Sequence, residues 1–164
     1  MAEADSYLLI KQKLEGLLAT KGREFYLEVT ATKGPSERLK KKIPTHREIV
    51  FSFLKKRPDL FGFMDTKYSS DLITVEVKER IEKLEDIYQA KLYKEVLDAR
   101  YGFLITAKPI PEEMKRLCKI TPSVLRSASD SIYGFLAIGQ FDKEKGQFVD
   151  WFEDNPFEHE SYWK

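Results

Sequence analysis

Hydrophobic and polar positions along this chain follow two periods, and the switches between them mark its elements. Between residues 5 and 20, Tyr7, Ile10, Leu14, Leu17 and Leu18 keep the three- and four-residue spacing of a buried helical stripe. Ser6 is the expected N-cap of that helix, and Lys21-Gly22 supplies its stop. Glu24–Thr30 alternates like a strand, and a lysine-rich, Gly/Pro-punctuated connection from 32 to 46 follows, with a short helical turn predicted at Ser36–Lys41. Arg47–Leu54 reads as a further strand. Leu60–Met64 and Leu72–Lys78 read as two strands joined by the polar loop Asp65–Asp71, with Pro58 where an amide donor is not needed.

A long helix is predicted over 79–99, with Ile81, Leu84, Tyr88, Leu92 and Val96 as its buried stripe and the Gln89/Tyr93 pair one position to the side. Tyr101–Thr106 is a mostly apolar run suited to an interior strand parallel to the one before the helix, so 72–106 forms a strand–helix–strand unit. Beyond Pro109 and Pro111 come a short helix at Glu112–Lys119, a turn at Ser123–Ser127 and a strong strand at Ile132–Phe141. Asp142–Gly146 turns that strand back into Gln147–Trp151. The tail from 152 to 164 sets Phe157, Tyr162 and Trp163 among acidic residues and is expected to pack on the body. One domain is expected, with a core over 5–141 and the C-terminal hairpin and tail over 142–164.

Composition narrows the class. The 164 residues are 42% hydrophobic and 34% charged, as in a soluble globular protein long enough to bury a core. A formal net charge of +1 means that any nucleic-acid surface must come from local clustering, for which Arg38–Lys42 and Lys55–Arg57 are the candidates. The single cysteine, Cys118, excludes an intramolecular disulfide and a cysteine-based zinc site, and points to a reducing, cytoplasmic setting. Leu8-Leu9-Ile10 is too short an apolar run for a signal peptide, and no span reaches membrane length. His46 and His159 lack metal-ligand spacing, and no phosphate-cradling glycine loop is present.

Candidate chemistry gathers at the central hairpin. Alternation puts Thr74, Glu76 and Lys78 on one face of their strand and Ile73, Val75 and Val77 on the other. A carboxylate and an ammonium on a strand near a domain's centre are costly to bury unless paired or bound to a metal. Antiparallel pairing across the 65–71 loop would bring Asp59 alongside Glu76 and Lys78, giving two carboxylates and a lysine in one cluster.

Pro58-Asp59 followed by Glu76-Val77-Lys78 resembles the signature of the PD-(D/E)XK nuclease superfamily. Gln89-Ala-Lys-Leu-Tyr93 is similar to the Q-x-x-x-Y element of its RecB-like branch. The resemblance covers roughly residues 45 to 110. It implies an α/β fold with a three-layer, restriction-endonuclease-like core, a central mixed sheet flanked by helices. It also implies a nuclease using Mg²⁺ or Mn²⁺ to hydrolyse phosphodiester bonds, DNA before RNA, in repair or recombination. Asp59, Glu76 and the backbone carbonyl of Val77 would be the metal ligands, hard oxygens of the kind these ions prefer. Lys78 would orient or deprotonate the attacking water or steady the developing charge.

The resemblance gives Gln89 and Tyr93 a supporting or backbone-binding role and makes Glu15, on the first helix, a further metal candidate. Lys40, Lys41, Lys42, Lys55, Lys56 and Arg57 are the candidate nucleic-acid contacts. Many members of that superfamily are dimers, so a homodimer is among the expected states. The chain departs from archaeal junction resolvases in having no basic-Ser segment near its start, and His46 is not placed as the upstream histidine of the RecB-like branch. The competing expectation keeps the fold without the catalysis, as a nucleic-acid-binding or assembly module.

Overall fold

The computed structural model describes residues 2–54, 56–126 and 134–164. Its frame is one six-stranded mixed sheet, β1 (Phe25–Val29), β2 (Leu60–Asp65), β3 (Ser70–Lys78), β4 (Tyr101–Thr106), β5 (Phe135–Asp142) and β6 (Gln147–Trp151), lying side by side in chain order. The pairs β1/β2, β2/β3 and β5/β6 are antiparallel, and β3/β4 and β4/β5 are parallel. The parallel step from β3 to β4 is made by α4 (Leu84–Val96), as the strand–helix–strand pattern requires.

Alternation along the strands assigns the two faces. Leu60, Met64, Ile73, Val75, Val77, Tyr101, Phe103, Ile105, Phe135 and Phe141 turn to one side, where α1 (Ala2–Ala19) lays Ile10, Leu14 and Leu18 on them. On the other side, α4 and α5 (Glu112–Ile120) cover Leu104, Leu136 and Ile138, while Phe61, Phe63 and Leu72 pack with Leu39 and Leu97. Helices on both faces of a mixed sheet make three layers, the architecture expected from the sequence. The tail joins the first side: Phe157 and Trp163 are buried in that core, and Trp163 stacks on Tyr101 with centroids 4.5 Å apart. At Gly139 an added Cβ would lie 2.6 Å from the Trp151 ring, so the indole of β6 rests directly on the backbone of β5.

Three local expectations are corrected. Arg47–Leu54 is not a strand: it forms a 3₁₀ turn at Thr45–Arg47 and the short helix α3 (Val50–Phe53). Its apolar residues lack strict alternation, and a short apolar run without a period fits either state. Ser6 is not a cap but a buried position inside α1. On α4, which begins at Leu84 and not at Glu79, Tyr88 and Leu92 are exposed, and the buried side carries Ile87, Ala90, Tyr93, Lys94 and Leu97. Asp86 sets that start by accepting hydrogen bonds from the amides of Glu82 and Lys83. The short helix expected inside the lysine-rich connection is α2 (Glu37–Lys40), capped by Ser36 Oγ at the Leu39 amide. Of the strand expected over 132–141, Ile132 and Tyr133 lie outside the described residues, as does Ser127 of the preceding turn.

Candidate active site

The site lies at the carboxyl end of β3, where α/β sheets commonly hold their ligands. The register Leu60↔Val75 sets the residue before β2, Asp59, opposite Glu76. Asp59 is held from three directions. The Val77 amide donates to its Oδ2 at 2.7 Å, Tyr7 Oη donates to its Oδ1 at 3.1 Å, and the Thr30 amide donates to its carbonyl at 2.9 Å. Thr30 Oγ1 also donates to the Pro58 carbonyl at 2.6 Å, so the edge of β1 fixes the whole Pro58-Asp59 step.

Glu76 is buried, and its Oε2 has no hydrogen-bond partner among the described residues. Burial, then the negative charge of Asp59, then a hydrogen bond shared with Asp59 push its carboxyl up to about 9; the Lys78 and Lys56 charges pull the other way. Two carboxylates in a desolvated place cannot both ionise cheaply without a cation between them. An orphaned buried carboxylate oxygen beside a second carboxylate is what a hard divalent ion satisfies, so the residues present fit Mg²⁺ or Mn²⁺. Among the described residues no group of three or more His, Cys, Asp or Glu side chains is placed to hold a metal, so the protein's share of the shell would be these two and a main-chain oxygen.

The helix face beside the predicted stripe brings the next layer. Tyr93 is buried and accepts a hydrogen bond from Gln89 Nε2 at 3.1 Å. Its hydroxyl is raised above the ordinary tyrosine range chiefly by burial, and the charges of Glu76 and Asp59 add to this. Tyr93 therefore lies within reach of the Glu76 and Asp59 charges, with Gln89 bonded to it, and Lys78 within reach of Glu76. Lys78, half-buried at the end of β3, also borders a narrow cleft with Ser6, Ile10, Val77, Thr106 and Lys143.

Other candidates lie elsewhere. Glu15 pairs with Lys11 at 3.1 Å, two turns of α1 beyond Tyr7, about 12 Å along the axis. Lys42 binds Asp65 at 3.1 Å, at the opposite end of β2, and Lys40 pairs with Glu37. Lys41 is exposed, and with Lys42 it borders a hollow at that far end with Phe63 and Asp65. Lys56 and Arg57 are exposed at the Asp59 end, and Lys55 lies outside the described residues. Asp71 is occupied by Arg23 and Arg100, at 2.8 and 2.9 Å. Sequence reasoning missed Tyr7 as a site residue, because a tyrosine on an apolar stripe reads as core; its polar tip facing a carboxylate is the signal that could have found it.

No family model matches the chain, and comparison with curated proteins and with solved structures returns no match. The functional reading therefore rests on the residues and their geometry.

Proposed function

We propose that this protein is a metal-dependent nuclease of the PD-(D/E)XK type, acting on DNA before RNA. The observation that carries the reading is the buried Asp59–Glu76 pair, with one Glu76 oxygen unpartnered among the described residues and Lys78 two positions along the same strand face. Asp59, Glu76 and the Val77 carbonyl would hold Mg²⁺ or Mn²⁺. Such an ion, when bound, neutralises phosphate charge and acidifies its water.

Each surrounding residue has a separate task. The Val77 amide and Tyr7 hold the Asp59 carboxylate in one orientation, so little ordering is left for the moment of binding. Lys78 brings a cation to the same face, suited to orient the attacking water and offset charge developing on the phosphate. Gln89 and Tyr93, hydrogen-bonded to each other on α4, would support the shell or touch the nucleic-acid backbone.

Cleavage of labelled single-stranded, duplex, flap and four-way-junction DNA tests this reading, with Asp59→Ala and Lys78→Ala as comparisons. Metal-dependent cutting that falls by about 100-fold or more in both variants is expected, since each removes a group acting in the transition state. A folded wild type that cuts nothing, or variants that cut equally well, would leave a nucleic-acid-binding or assembly module on the same fold.

A further inference from the structure

The segment before Asp59 presents an apolar surface that the core does not use. Its inner side is anchored: Phe51 meets Phe61 with ring centroids 6.5 Å apart, Val50 packs on the same cluster, and Arg47 Nη1 donates to the Val96 carbonyl at 3.3 Å. Its outer side holds Ile49 and Phe53, 63% and 80% exposed. The two are four residues apart across the turn of α3 and so lie side by side. Exposed apolar residues standing singly, such as Tyr68 and Ile120, are ordinary and need no partner.

Charge distinguishes the α3 surface from those. From Thr45 to Pro58 the sequence sets four Lys/Arg against the single Glu48, a formal net of +3 in a chain whose total is +1, with Arg47 turned inward to the Val96 carbonyl and Asp98. Lys56 and Arg57, which follow the apolar pair in the chain, are exposed, and the Lys56 charge reaches Glu76. Phe53 and Lys56 are only three positions apart, a span of at most about 11 Å. An aromatic ring open to solvent, followed within four positions of the chain by two exposed cations and then by the Asp59 carboxylate, suits a ligand with flat apolar faces strung on a negative backbone. Unpaired nucleotides have that form; in a duplex the same faces are stacked on one another and hidden.

We propose that Ile49 and Phe53, rimmed by Lys56 and Arg57, form a platform on which unpaired nucleotides of a single strand stack beside the Asp59–Glu76 pair. The binding stands on the α3 surface alone, whereas delivery of the strand for cleavage rests on the nuclease reading. Base stacking on an aromatic ring is tolerant of sequence, so the platform selects strandedness and not base identity.

Fluorescence anisotropy of the full chain in a chelating buffer, where no metal-dependent cutting occurs, tests the platform with labelled oligothymidylate and a duplex of equal length. Phe53→Ala is expected to weaken single-strand binding about 5- to 100-fold and to shift duplex binding less than about twofold, with Phe53→Trp restoring the affinity. Because Phe53 is exposed, its thermal melt should match wild type. An unchanged single-strand affinity in Phe53→Ala, or an equal loss on both ligands, overturns the proposal. Phe53-dependent binding in a protein that cuts nothing would sink the nuclease reading and leave the platform standing. Asp59- and Lys78-dependent cutting with single-strand binding indifferent to Phe53 would do the reverse.

Discussion

At the scale of single residues, Glu76 is where burial and charge conflict. Its carboxyl is held at about 9 against 4.5 for the free group, so the folded protein binds a proton there that the unfolded chain gives up. Stability from this group is fully present below pH 4.5 and is lost as pH rises towards 9. At pH 7 the loss amounts to at most about 3.5 kcal/mol, at roughly 1.4 kcal/mol per pH step above the unfolded value. Glu76→Gln keeps the shape and a donor towards Asp59 but has no proton to lose. In metal-free buffer at pH 7 it should melt higher than wild type, by up to roughly 7–14 °C for a chain of this size. That gain should vanish near pH 4.5, and Mn²⁺ should raise the melting temperature of wild type only. Superimposable pH–stability curves for the two proteins would show that Glu76 is not held neutral.

At the scale of elements, the C-terminal tail belongs to the core. Trp163 is buried, stacks on Tyr101 and on Phe157 with centroids 4.5 and 5.1 Å away, and donates from Nε1 to the Pro156 carbonyl at 2.9 Å. Trp163→Ala should therefore cost about 3–5 kcal/mol in chemical denaturation, as for other large core truncations. Glu160→Ala, at a mostly exposed partner of Lys21, should cost less than about 1 kcal/mol. A Trp163→Ala protein as stable as wild type would mean that the tail only rests on the surface. The strands were legible because their alternation survives in the sequence: Asp59 facing Glu76 follows from the period of two and one polar loop. The helix over 84–96 was legible in place but not in orientation, because it buries Asp86 and Lys94, which a hydrophobic pattern counts as outward-facing, and exposes Tyr88 and Leu92, which it counts as core. Arg47–Leu54 misled in the opposite sense, since Ile49 and Phe53 are apolar yet face water. Both departures fall on segments that flank the candidate site, and departures from local pattern are most expected near such sites.

At the scale of the whole molecule, a net charge of +1 hides an uneven distribution. The two basic runs read from sequence as one kind of surface, but the sheet separates them. Asp59 and Asp65 bracket β2, six residues or about 20 Å apart at strand rise. Lys42 is committed to Asp65 and to the face of Phe63, whereas Lys56 and Arg57 stand exposed at the Asp59 end. A strand bound across the carboxylate pair would shed counterions from the second group and not from the first. In chelator, the slope of log affinity against log salt for oligothymidylate should shrink by about 1.4 in Lys56→Ala/Arg57→Ala, at roughly 0.7 per phosphate contact. Lys41→Ala/Lys42→Ala should keep the wild-type slope and lose less than about 1 kcal/mol of stability, the usual worth of a partly exposed ion pair. Equal slopes in all three proteins would place the strand elsewhere on the surface. A reduced slope in the Lys41/Lys42 variant alone would move the nucleic-acid path to the Asp65 end of the sheet, away from the only buried carboxylate pair among the described residues.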